Sequence, residues 1–114
     1  MIKSKKLSKI KNLKHGFFNS IGGHSKDIYK SLNCGSGSND KKSNIKKNLQ
    51  KVRKKISIKA KNIFLVNQFH SNKFIYIDKN YKKKKKPKAD AIITNQKNLP
   101  IAVLTADCAP ILIY

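Results

Sequence analysis

Leu99-Pro-Ile-Ala-Val-Leu-Thr-Ala-Asp-Cys-Ala-Pro-Ile-Leu-Ile-Tyr114 is the stretch on which the fold turns. An apolar run climbs to Thr105-Ala106-Asp107-Cys108, breaks at Pro110 and resumes as far as Tyr114. Short continuous apolar runs bounded by turn signals are the pattern of buried strands, here 101–105 and 111–114. A polar triplet wedged between two such runs is hard to explain by packing alone. A thiol beside a carboxylate at the lip of a sheet is a common place for metal or nucleophilic chemistry.

The same pattern extends upstream. Ile63-Phe-Leu-Val66, Phe74-Ile-Tyr-Ile77 and Ala89-Asp-Ala-Ile-Ile-Thr94 read as strands, with Gln68-Phe-His-Ser71 between the first two. Lys14–Ser20 reads as a short strand carrying Phe17 and Phe18, and Gly22-Gly23 supplies a turn because glycine takes positive φ at no steric cost. Residues 29–38 are loop-rich. Ile45, Leu49, Val52 and Ile56 then recur at spacings of four, three and four, which predicts a helix that Asn39 or Asp40 can cap. Its lysine-covered face has no glutamates to pair with, so the helix depends on docking its apolar stripe. Residues 1–12 read as a frayed arm or a short edge strand, and Lys82–Lys86, closed by Pro87, as a solvated loop. The expected class is α+β, a mixed β-sheet with at least one packed helix on its face. The aromatics Phe17, Phe18, Phe64 and Phe74 fall in strand patterns and point to core packing rather than base stacking.

The 114 residues are the size of one small domain and carry a net charge of +22, with 27 basic residues against five acids. Such a field ordinarily points to nucleic acid or an anionic surface. Here all the basic residues except Arg53 are lysines, whereas base edges and phosphates favour the arginine fork. Twelve Asn and fifteen Ile accompany the lysines, the signature of AT-rich codons, so the charge reads mainly as compositional drift and no specific nucleic acid is expected. The acids are Asp27, Asp40, Asp78, Asp90 and Asp107; being so few, each is expected to have a local role. The basic first fourteen residues lack an apolar signal core, and nothing approaches a membrane span. With two cysteines, Cys34 and Cys108, in unlike contexts, a reducing cytoplasm is the expected location.

His70 follows an apolar strand and precedes a Ser-Asn turn, so it stands at a strand end, as a loop polar residue or as a ligand. Cys108 is either a small buried hydrophobe or a thiolate. Together they form a soft N/S pair of the kind Zn²⁺ prefers, one short of the three protein ligands a catalytic zinc takes. Cys34, His15 and His24 are the other soft donors, and none has convincing spacing to either residue.

Four blocks in order carry a resemblance: His15-Gly-Phe-Phe-Asn-Ser-Ile-Gly-Gly-His-Ser25, Tyr29-Lys-Ser-Leu-Asn33, Gln68-Phe-His70, and Ala89-Asp-Ala-Ile-Ile-Thr94 running on to Leu104-Thr-Ala-Asp-Cys-Ala-Pro-Ile-Leu112. Over residues 14–114 the chain resembles the N-terminal half of the YfiH family, the laccase-domain or polyphenol oxidase-like proteins also called peptidoglycan editing factor. On that resemblance, residues 1–13 are a basic N-terminal arm and 14–114 the N-terminal portion of a YfiH-like domain truncated at its C-terminus.

The resemblance implies a cytoplasmic enzyme holding Zn²⁺, with copper possible. It would cleave adenosine, inosine, guanosine or methylthioadenosine with phosphate, with an accompanying adenosine deaminase activity. It makes purine nucleosides and phosphate the partners, and leaves the oligomeric state open. His70 and Cys108 become metal ligands, and the third, a downstream histidine of a His-x-Gly-Trp block, has no counterpart before Tyr114. Asp107 would orient a ligand, handle a proton or serve the structure; Gln68 would hydrogen-bond substrate or cap the strand end. Asn19-Ser20 stands where the family has Thr-Arg, and Asn48-Leu49 where it has Asn-Arg. A chain with two of three ligands is expected to be inactive alone. Two other functions are compatible with these residues: peptidoglycan-precursor editing on the same fold, and a basic module binding RNA or an anionic surface.

Overall fold

The computed structural model describes residues 1–82 and 86–114; residues 83–85 of the expected lysine loop lie outside the described residues. The chain forms two compact units, one of Met1–Ile58 with Pro110–Tyr114 and one of Lys59–Ala109. Its class is α+β: one α-helix, α1 (Lys42–Ile56), and two strands, β1 (Phe74–Ile77) and β2 (Ala91–Thr94), among the described residues.

In the first unit, α1 turns Ile45 and Asn48 fully inward and leaves Leu49, Val52 and Ile56 half-buried, so the 4-3-4 spacing does mark its docked face. The helix starts one residue beyond the expected caps. Lys41 is its N-cap and makes no side-chain capping bond. Asp40 is drawn instead toward the preceding loop, where its carboxylate accepts from the Ser25 hydroxyl (2.5 Å), the Asn33 amide (3.1 Å) and the Lys41 N–H (2.7 Å). At the other end Arg53, Lys54 and Lys55 face the negative pole of the helix dipole.

Asn48 organises this unit. It is wholly buried, and its amide donates to Ser25 Oγ (2.9 Å), Ser31 O (3.2 Å) and Asn33 O (2.7 Å) while its carbonyl accepts the His24 N–H (2.7 Å). One helix side chain thereby ties together the segments 24–25 and 31–33, which follow the diglycine turn. Gly22 has φ +88°, and a Cβ on Gly23 would run into the Ser31 carbonyl, so the expected turn uses both glycines. Residues 1–13 are tied down by an antiparallel bridge between Ile2 and Phe17, each N–H 2.8 Å from the other's carbonyl. The Ser4 N–H donates to Nε2 of buried His15 (2.9 Å), followed by a 3₁₀ turn at Leu7–Lys9.

The second unit is built on parallel pairing. β1 and β2 run in register, Phe74 opposite Ala91 through Ile77 opposite Thr94. Isolated parallel bridges join Phe64 to Ile101 and Asn67 to Lys88. Phe64, Val66, Ile77 and Ala89 form the core, with Ile75, Tyr81, Ile92, Leu99 and Ile101 packed against it. Phe64 and Tyr81 meet edge to face, centroids 5.7 Å apart.

β1 coincides with the expected strand, and β2 starts two residues later than Ala89. The apolar runs 63–66 and 101–105 shorten to a single bridge because the pairing changes sides. Phe64 bonds to 100 and 102, Asn67 bonds to 87 and 89, and a side chain continues the ladder at Leu104. Among the described residues, the run 111–114 is exposed and outside any ladder, and 14–20 forms a β-bridge at Phe17 alone, with the Ser20 carbonyl accepting the Ser31 and Leu32 N–H groups. Phe74, 63% exposed, shares the outer sheet face with Tyr76, Ala91 and Ile93, so its expected core role is not realised. Phe64 is core, and Phe17 and Phe18 are half-buried.

Candidate functional site

Gln68 joins the two blocks that carry the soft donors. Its amide nitrogen donates to the Leu104 carbonyl (2.9 Å) and its Oε1 accepts the Leu104 N–H (2.8 Å), so one side chain makes both bonds a neighbouring strand would make. The junction continues the parallel Phe64–Ile101 pairing, so the segments leading to His70 and to Cys108 leave it toward the same end. That is the carboxyl end of parallel segments, where ligands bind in open α/β sheets. The Asn67–Lys88 bridge is parallel too, so Asp90 stands at this end as well.

His70 has φ +60°, in the left-handed region that non-glycine residues seldom occupy and His more readily than most. The Asp90 carboxylate holds this turn. Its Oδ1 accepts the N–H groups of Phe69 (3.1 Å) and His70 (3.0 Å); its Oδ2 accepts the N–H (2.9 Å) and hydroxyl (2.7 Å) of Ser71. Three successive backbone N–H groups converging on one anion form a cradle of the nest type, filled by the chain's own carboxylate. The Asp90 N–H donates in turn to the Lys73 carbonyl (2.9 Å), which locks the loop to the start of β2. The Ser71 hydroxyl, then the backbone N–H donors, hold the Asp90 carboxyl below its ordinary value against a partial desolvation. His70 itself is exposed.

Sequence reasoning gave Asp90 a local role without finding its partners. The available signal was a carboxylate at the head of an apolar strand, in a chain with few acids, and a Ser directly after His70. Cys108 is a free, exposed thiol, so the buried-hydrophobe reading does not apply to it. Asp107 is exposed beside it in a bend spanning 106–108.

Donor chemistry at this end suits a borderline-soft ion: one imidazole and one thiol, both exposed. The number falls short, since no group of three or more His, Cys, Asp or Glu able to hold a metal exists among the described residues. Of the other soft donors, the ring of His15 is engaged by the Ser4 N–H, and burial pushes the half-buried Cys34 thiol up. His24, in the first unit, lines a shallow concavity of about 230 Å³ with Lys47, Gln50, Lys51 and Lys54. A larger one of about 350 Å³ in the same unit brings Asn19 together with Lys51 and Lys55. No helix among the described residues is long and apolar enough to cross a membrane.

Comparison with known proteins bears on these residues. The family described as multi-copper polyphenol oxidoreductase laccase matches residues 14–114. A purine nucleoside phosphorylase of Streptomyces coelicolor is 31% identical over 98 residues, covering 86% of this chain and 40% of that protein. One from Corynebacterium glutamicum is 32% identical over 98 residues, covering 85% and 40%. One from Rickettsia prowazekii is 42% identical over 55 residues, covering 48% and 22%. The chain thus spans at most about two fifths of the length of these curated relatives.

Proposed function

Because the chain belongs to the multi-copper polyphenol oxidoreductase laccase family, we propose that the protein is a cytoplasmic, metal-dependent purine nucleoside phosphorylase. Its substrates are adenosine, inosine, guanosine or methylthioadenosine with inorganic phosphate, and its products the free base and ribose 1-phosphate, with adenosine deamination as an associated activity. The relatives named above, all purine nucleoside phosphorylases, support the reaction class. The observation that carries the site is the double hydrogen bond between Gln68 and Leu104, which sends the His70 and Cys108 segments toward one end of the parallel pairing.

In this reading His70 and Cys108 are two of the donors to a zinc or copper ion. Such an ion, when bound, supplies Lewis acidity at an oxygen of the substrate or of phosphate. As a donor Cys108 would serve in its thiolate form, and the thiol is exposed to solvent. Asp107, exposed one residue before it, would accept or return a proton as the base departs. Gln68 holds the two donor segments together through Leu104, and its exposed amide keeps one N–H and one lone pair with which to meet substrate.

The test is an assay of the full-length protein with adenosine and inorganic phosphate, following adenine and ribose 1-phosphate. Turnover abolished by a chelator, and lowered at least a hundredfold in His70→Ala and in Cys108→Ala, is the expected result. Full turnover by His70→Ala overturns the metal assignment, and absence of phosphate-dependent cleavage overturns the reaction.

A further inference from the structure

We infer that Asp90 is the positioning residue for His70: its carboxylate sets the backbone of 69–71 so that the imidazole is presented at the metal end of the parallel segments. This rests on the reading of His70 as a metal donor. The geometry that carries it is unusually complete for a loop. Four hydrogen bonds from three consecutive residues end on one carboxylate, two on each oxygen, and all reach across 19 to 21 positions of sequence.

The middle residue of the three is His70, and its φ of +60° is one that the chain does not adopt at low cost without being held. Ser71 contributes both its N–H and its hydroxyl, and the same hydroxyl oxygen accepts the Lys73 N–H (3.1 Å), carrying the constraint on into β1. Asp90 is itself anchored on both sides, by the buried Ala89 before it and the β1–β2 pairing after it. The carboxylate is therefore a rigid reference point, and the histidine turn is shaped to it.

Asp90 differs in kind from the partner that usually orients a metal-bound histidine. Such a partner accepts the second ring N–H. Here the carboxylate acts on the backbone and the Ser71 hydroxyl, so it leaves the ring nitrogens to other partners while the Cα–Cβ direction is determined. Substituting Asp90 should consequently alter where the ring stands and leave its chemistry intact. Two variants separate position from charge. Asp90→Asn keeps one acceptor oxygen and sets an NH₂ against the Ser71 donors. Asp90→Glu keeps the charge but displaces it by a methylene.

The experiment is a Co²⁺ titration of the full-length protein, read by thiolate-to-cobalt absorption and, with Zn²⁺, by NMR shifts of the His70 ring. Amide hydrogen exchange at Phe69, His70 and Ser71 is measured on the same samples. Expected are 10- to 100-fold weaker Co²⁺ binding in both variants, faster exchange at the three amides, and unchanged NMR shifts for α1. Wild-type affinity in either variant overturns the inference; retention in Asp90→Glu alone would mean that charge rather than position matters. A wild-type protein with no cobalt–thiolate absorption and no His70 shift overturns the metal reading itself, and the positioning role falls with it. Should both variants fail to fold, wild-type exchange decides: protected Phe69, His70 and Ser71 amides support the cradle, and free-chain rates overturn it.

Discussion

Gln68 and Leu104 are joined by two hydrogen bonds across 36 positions of sequence, both made by one side-chain amide to one backbone unit. The contact is exposed, so its contribution to stability is modest, yet it joins the two blocks that hold His70 and Cys108. In Gln68→Glu the acceptor for the Leu104 N–H survives while a carboxylate oxygen replaces the donor and faces the Leu104 carbonyl. The expected loss in urea unfolding is under about 1 kcal/mol, accompanied by faster amide exchange at Leu104 and shifted resonances from Thr105 to Cys108. Unchanged resonances there would mean the junction does not govern the Cys108 segment.

Asn48 gives a sharper test, because it is wholly buried, its amide N–H donors are engaged by three oxygens and its carbonyl accepts the His24 N–H. Asn48→Asp is nearly isosteric but replaces three donated bonds with an oxygen facing three oxygens. At neutral pH it should destabilise the first unit by about 3 kcal/mol or more, at least as much as Asn48→Ala. Equal stability of Asn48→Asp and wild type in denaturant titrations would sink the assigned network.

Phe64 is the aromatic centre of the second unit's core, buried against Val66, Ile77 and Ala89 with its edge contact to Tyr81. Phe64→Ala should cost about 3–5 kcal/mol, a large share of the 5–15 kcal/mol typical of a domain. Phe64→Leu, which leaves a smaller void, should cost less. The measurement is thermal or urea unfolding monitored at the tyrosines.

Acid should loosen the first unit through Asp40. Its carboxyl is held below its ordinary value, chiefly by the Ser25 hydroxyl and further by Asn33 and Lys41, against some desolvation. A folded pKa below the unfolded one means that the stabilisation is complete above the unfolded carboxylate value, about 4, and is lost as pH falls through the folded value. The stability of Asp40→Asn should therefore depend less on pH below about 4 than that of wild type, with the two curves parallel above pH 6. Parallel curves at all pH values would remove Asp40 from the loop's support.

Much of this architecture can be read locally. β1 falls on Phe74–Ile77, and the 4-3-4 apolar spacing predicts the docked face of α1. The helix start is misplaced because Asp40 has better partners in Ser25 and Asn33 than in the helix N-terminus, which propensity cannot weigh. The runs 63–66 and 101–105 read as full strands because their apolar content reports burial, whereas strand length depends on which neighbour each residue pairs with. His70 and Cys108 are legible as soft donors at strand ends. Asp90 is not, since its four bonds go to a segment about twenty residues earlier.

The sequence by itself determined the α+β class, the position of α1 and β1, the diglycine turn and the family blocks that single out Gln68, His70, Asp107 and Cys108. These follow from periodicity, glycine freedom and side-chain chemistry, all properties of neighbouring residues. Only the tertiary structure decided that Gln68 grips Leu104, that Asp90 cradles the His70 turn and that Asn48 gathers the first unit's loops. A polar side chain's partner is set by strand register and by which buried groups still lack a hydrogen bond, and neither exists until distant segments have packed.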